Sequence, residues 1–187
     1  MAVLPISITG DPVLHSPAKP VDSIDGAIRE LVANMFDTMD AAPGVGLAAP
    51  QIGVPLRIFT YSWSDDEVSW RGVAINPELL ITPPPVGVPN PEEESEGCLS
   101  VPGERFGLRR AEHAILRATD LENVAYEINA TGWLARIFQH EFDHLCGILY
   151  TDRLGEEDQR VVKKVTRKLG WGVPGKQWVP GVDRLEG

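Results

Sequence analysis

Apolar residues recur at helical spacing in three stretches of the chain, and short branched or aromatic runs lie between the first two. In SIDGAIRELVANMFDTMDA, residues 23–41, the side chains of Ile24, Ile28, Leu31, Val32, Met35, Phe36 and Met39 fall three and four apart, which predicts an amphipathic helix. A second helix is expected from Thr131, a capping residue, to Gly147; at about 100° per residue, Leu134, Ile137, Phe138, Glu141, Leu145 and Ile148 share one face, with His140 and His144 at its edge. The third is expected from Glu156 to Leu169, acidic in its first turn, basic in its last, and stopped by Gly170. Runs at Arg57 to Trp63, Val73 to Asn76, Leu79 to Thr82, Arg105 to Arg109, His113 to Thr119 and Ala125 to Asn129 read as antiparallel strands separated by turn formers. Together these elements predict an α+β fold, with antiparallel sheets packed around the second helix and a further helix near each end.

Three segments fall outside this pattern. GVGLAAPQIG, residues 44–53, is built of small residues whose glycines let another backbone approach, as a ligand cleft requires. TPPPVGVPNPEEESE, residues 82–96, holds five prolines and four glutamates and is expected to be an exposed loop. A tail rich in Gly, Pro and Trp occupies about 171–187.

The length of 187 residues suits one domain spanning 1–187, and 43% hydrophobic with 24% charged residues is an ordinary globular balance. No run approaches the roughly 20 apolar residues of a membrane span, and the N-terminal MAVLPISITGDP lacks the basic start of a secretory signal, so a cytoplasmic protein with no membrane partner is expected. Cys98 and Cys146 alone do not make a disulfide framework and are expected to be reduced. The net charge of −10 excludes broad, nonspecific wrapping of nucleic acid.

The chemistry concentrates in Gln139-His140-Glu141-Phe142-Asp143-His144, an H-E-x-x-H on a predicted helix. Histidines four apart share a face and direct two imidazoles at one metal, while the adjacent glutamate is placed to handle a proton of water. A third protein ligand is then needed if one coordination position is to stay open. The position that would carry a histidine in metzincins is Tyr150. Glu156 and Glu157 sit where helix-start acids sit, and Cys146 lies about 200° around the helix from His144. Cys98, between a glycine and a bend in EGCLSVPG, is the favoured third ligand. Two alternatives remain open: a small zinc peptidase using Glu156 or Glu157, and a structural or sensing site closed by His113 or Cys146.

Three segments in this order and spacing, Gly44-Val45-Gly46-Leu47-Ala48-Ala49-Pro50-Gln51, Glu96-Gly97-Cys98-Leu99-Ser100 and Gln139-His140-Glu141-Phe142-Asp143-His144-Leu145, resemble the signatures of peptide deformylases, and the likeness spans most of residues 5–155. The resemblance implies an enzyme that removes the formyl group from N-formylmethionyl peptides as formate. It implies a metal held by Cys98, His140 and His144, proton transfer by Glu141, and an oxyanion stabilised by the Gln51 amide and the Leu99 backbone N–H. Thiolate with two imidazoles is a set that zinc prefers, whereas the resemblance implies Fe2+, with Zn2+, Ni2+ or Co2+ as substitutes. Gly46 would let an extended peptide pair along its backbone, and Val45, Trp133 and Ile137 are candidates for the pocket that takes the methionine side chain, with plain core the alternative.

Two further features bear on partners and shape. Glu96 and Arg105 are read either as a pair shaping the rim or as a solvated ion pair. Arg160, Lys163, Lys164, Arg167 and Lys168 make a basic face beside an apolar stripe of Val161, Val165 and Leu169, which is either solvated or, by the resemblance, a contact for the ribosome. His15, where the family often has arginine, and the long Pro-rich acidic loop depart from the pattern.

Overall fold

The computed structural model of the protein describes residues 2–65, 68–183 and 185. In chain order the strands and helices are β1 (Ile6–Ser7), α1 (Gly26–Ala41), β2 (Gly46–Ala48), β3 (Ile58–Ser64), β4 (Ser69–Ile81), β5 (Ser95–Cys98), β6 (Val101–Gly107), β7 (His113–Thr119), β8 (Ala125–Thr131), α2 (Gly132–Leu145), α3 (Glu156–Lys168) and β9 (Gln177–Trp178). The mixed α+β class with antiparallel sheets is as expected from the sequence.

A five-stranded antiparallel sheet, ordered β2-β3-β4-β7-β8, organises the core. Successive side chains of a strand point to opposite faces, and two helices exploit that alternation. Leu47, Ile58, Val73 and Ile75 pack with Val32, Met35 and Met39 of α1. Their neighbours Ala48, Phe59 and Ala74 pack with Leu134, Ile137, Phe138 and Leu145 of α2. The Asp25 carboxylate caps α1 by accepting from the Ile28 N–H at 3.0 Å.

Two expected strands, Val73 to Asn76 and Leu79 to Thr82, are one strand, β4, interrupted by a register shift between Ile75 and Glu78. Pro77 has no N–H to give to a ladder, and Asn76 adopts a left-handed φ of 50° there, its side chain bonded to both the N–H and the carbonyl of Val21. The run expected at Arg105 to Arg109 is the end of β6, which starts earlier, at Val101, and stops at Gly107, and which pairs with β5 in a separate hairpin. The Pro-rich segment is exposed through Glu93 except at the half-buried Pro89, but its end is not: Ser95 and Glu96 enter β5, and Glu96 is only 4% exposed.

The C-terminal tail is built into the molecule. Strand β9 pairs with β1, Ile6 opposite Trp178, and the Trp178 side chain is buried. Helix α3 lies outside the core with no buried residue; of the stripe read from the sequence only Val165 is half-buried, as is Val162, while Val161 and Leu169 are exposed. Among the described residues, no helix is long and apolar enough to cross a membrane.

Candidate metal centre and active site

Helix α2 carries His140, Glu141 and His144 into the interior; Thr131 holds its N-cap position, but its side chain makes no capping hydrogen bond. Its C-terminal turn ends at Gly147, whose φ of 73° and close approach to the backbone of His15 and Ser16 leave no space for a side chain. Gln139 anchors the helix laterally: its amide donates to the Ala111 carbonyl and accepts from the Ala111 N–H, both at 2.9 Å. From the other side, β5 delivers Cys98, and period-two alternation places Glu96 on the same face.

Cys98, His140 and His144 bring one donor atom each within 4.8 Å of one another. The His144 Nε2 lies 3.2 Å from the His140 Nε2 and 3.4 Å from the Cys98 sulfur. A tetrahedral ion bound at about 2.0–2.1 Å by imidazole and about 2.3 Å by thiolate separates its ligand atoms by roughly 3.3 Å and 3.5 Å, so the three residues fit a metal ion. Of the sequence alternatives, Glu156 stands exposed in an ion pair with Arg160, Glu157 and His113 are exposed, and Cys146 is outside the cluster.

Behind the donors stands a buried polar network that the sequence reading did not anticipate. His140 Nδ1 faces the Glu96 carboxylate at 2.7 Å, and because a carboxylate only accepts, Nδ1 carries a proton and Nε2 is the atom that would give its lone pair to a metal. Glu96 also accepts from Arg110, at 2.6 and 3.1 Å, and from Arg136 at 3.0 Å. Arg110 in turn reaches Asp143 at 2.6 Å, which Arg153 holds from the surface. Arg105, expected to pair with Glu96, instead donates to the Ser95 carbonyl at 3.0 Å. Strand register explains the difference: Arg105 lies opposite Gly97, while Arg110 lies beyond the strand and turns inward. The shared face of Glu96 and Cys98 was the one local signal available.

The electrostatics follow from burial and these neighbours. Burial opposes ionising Glu96, but His140 and Arg110 outweigh it and hold the carboxyl far below its usual range. Burial also opposes charging His140, yet the Cys98 sulfur and then Glu96 raise its pKa well above the ordinary value. His144 is pushed well below by burial, then by the His140 charge. Glu141 is pushed up to about 7, chiefly by burial, with Glu96 adding to the effect against His140 and Arg110. Its Oε2 is buried with no hydrogen-bond partner among protein groups.

A cleft of about 410 Å³ opens over this cluster. Val45, Gly46, Gln51, Cys98, Leu99, Trp133, Ile137, His140 and Glu141 all line it, so the expected site residues meet there, His144 lying beneath. Gln51 is buried, with its Oε1 accepting from the Ala48 N–H at 2.8 Å, an arrangement that turns its NH2 toward Cys98 and Ser100 at 3.7 and 3.4 Å. At the rim Trp63 stacks on Trp133, with ring centres 5.9 Å apart, and the Arg136 guanidinium lies 5.2 Å from the Trp133 ring.

A Cys/His/His cluster suited to a metal, beside a buried carboxylate in an open cleft, is the arrangement of a metal-dependent hydrolase. The family model described as polypeptide deformylase matches residues 3–160, and the chain belongs to that family. A peptide deformylase of Tropheryma whipplei (strain TW08/27) is 52% identical over 95% of this chain and 94% of its own length. One from Rhodococcus opacus (strain B4) is 50% identical, over 97% and 95% respectively. The crystal structure of a peptide deformylase from Legionella pneumophila superposes with a TM-score of 0.79 at 37% identity, covering 90% of this chain and 95% of that one.

Proposed function

We propose that this enzyme removes the formyl group of N-formylmethionyl peptides as formate, with Cys98, His140 and His144 as metal ligands and Glu141 as the proton-transfer group. The observation that carries this reading is the spacing of His144 from Cys98 and from His140, close to two edges of a tetrahedral coordination sphere, with the unpartnered Glu141 oxygen beside them. A bound divalent ion, Fe2+ by family resemblance with Zn2+, Ni2+ or Co2+ as substitutes, would supply Lewis acidity and acidify a water.

The chain's own residues do the rest. Glu141, poised near neutrality, accepts a proton at its free oxygen and returns it to the departing amine. The Gln51 NH2, oriented by the Ala48 bond, and the Leu99 N–H serve as preorganised donors to the oxyanion. Strand β2 is an edge strand, paired with β3 on one side only, and its Gly46 backbone borders the cleft, which suits an extended peptide added as a further strand. Val45, Trp133 and Ile137 supply apolar surface for the methionine side chain.

The test is formate release from formyl-Met-Ala-Ser by protein loaded anaerobically with iron. Glu141→Ala should abolish release with metal retained, and Cys98→Ser should abolish it with metal lost. No release from the metal-loaded parent would overturn the assignment.

The same reading takes residues 1–187 as one catalytic unit working in the cytoplasm, with the exposed basic face of α3 touching ribosomal RNA. Reversing Lys163, Lys164, Arg167 and Lys168 should lower cosedimentation with ribosomes, most strongly at low salt; unchanged cosedimentation would remove the ribosome from the account.

A further inference from the structure

The C-terminal segment reaches the site through one buried indole. Trp178, on β9 and beyond the residues that the family model matches, is 1% exposed, and its Nε1–H donates to the Leu99 carbonyl at 2.8 Å. That carbonyl and the Ser100 N–H belong to a single planar peptide unit and point in opposite directions. The Ser100 N–H in turn donates to the Cys98 sulfur at 3.4 Å. In a rigid plane, a bond that fixes the carbonyl also fixes where the N–H is aimed. The following peptide is secured as well, since the Ser100 carbonyl accepts from the Thr9 N–H at 2.8 Å, just past the strand with which β9 pairs.

We propose that Trp178 is a positioning residue for the reaction: through the Leu99 carbonyl it aims the Ser100 N–H at the Cys98 sulfur and stiffens the Leu99 backbone. This inference rests on the roles proposed above for Cys98 and Leu99. An N–H···S bond draws electron density from a ligating thiolate, so the tail tunes the ligand as well as holding the loop. A stiff Leu99 backbone keeps the oxyanion donor where charge develops, which matters for kcat more than for binding the ground state. Packing alone would account for a buried tryptophan, but not for an indole N–H spent on the peptide whose other end reaches the metal-ligand sulfur.

The experiment compares cobalt-loaded parent, Trp178→Phe, protein carrying benzothienylalanine at position 178, and Trp171→Phe as a tail control. Benzothienylalanine keeps the shape of tryptophan and replaces its N–H by sulfur. Both changes at position 178 should move the thiolate-to-cobalt charge-transfer band to longer wavelength and lower kcat for formyl-Met-Ala-Ser roughly fivefold to tenfold, the size of one net hydrogen bond, with KM within about twofold. The Trp171 control should match the parent. An unchanged band and kcat with benzothienylalanine, or losses confined to Trp178→Phe, would overturn the proposal by leaving packing as the only role. A parent that binds cobalt and releases formate while the position-178 variants behave normally overturns this inference alone; a parent that does neither overturns the underlying reading with it.

Discussion

Glu96 and His140 meet at 2.7 Å, carboxylate to ring Nδ1, in a contact buried from solvent. The contact turns the other ring nitrogen toward Cys98 and His144; His140 and then Arg110 hold the carboxylate ionised against burial, and Arg136 adds a further hydrogen bond. Glu96→Gln keeps the shape and removes the charge. It should weaken metal retention about ten- to hundredfold, measured by chelator competition; retention equal to the parent would show that the histidine needs no such support.

Arg110 joins two buried carboxylates, Glu96 and Asp143, and is itself buried. Arg110→Met leaves both acids short of a partner in a low-dielectric interior and should destabilise the protein by about 3–5 kcal/mol in chemical denaturation. Arg153→Met, which removes the half-exposed partner of Asp143, should cost only about 1 kcal/mol.

Gly46 leaves space that Glu141 occupies. A Cβ at that position would lie 2.3 Å from the Glu141 Oε1, and Glu141 is buried with little freedom to swing aside. Gly46→Ala should therefore lower formate release at least about a hundredfold by displacing the proton-transfer group, while metal content stays at the parent level. Activity within a few fold of the parent would show that the carboxylate tolerates displacement.

The three tyrosines, Tyr61, Tyr126 and Tyr150, all have phenol pKa values raised, chiefly by burial. Tyr126 donates its O–H to the Val73 carbonyl at 2.7 Å, and Tyr150 to the Glu104 carbonyl at 2.9 Å, bonds that only the neutral phenol makes. The unfolded chain releases these protons near pH 10, and the folded chain retains them to higher pH. Stability is therefore fully present below about pH 10 and falls as pH rises from there toward the folded pKa values. Absorbance at 295 nm should show little phenolate in native protein at pH 10.5 and much more once denaturant is added.

The sequence carried the local part of the site. A helix repeats every 3.6 residues, so the shared face of His140, Glu141 and His144 with Ile137 and Phe138 was visible in one window, and burial agrees with it. Partnerships between distant segments were not visible, because no local period encodes them. Arg110 and Arg105 read alike in sequence, and only the register of β5 against β6 decides which reaches Glu96. The split reading of β4 failed at Pro77, where a strand passes through a break in its own ladder by a bulge. The tail gave no strand signal because two residues are too few to show alternation, yet Gln177 and Trp178 make one.

The pairing of β1 with β9 joins the first and last of the described strands, and it lies directly behind the Cys98 turn. Closing a loop that takes in every other described strand and helix carries the entropic penalty of a distant contact. The cysteine turn thus lacks the Trp178 bond until β9 is in place against β1. During synthesis, which runs from the N-terminal side, the residues of every other described strand and helix precede the indole that braces the cysteine turn.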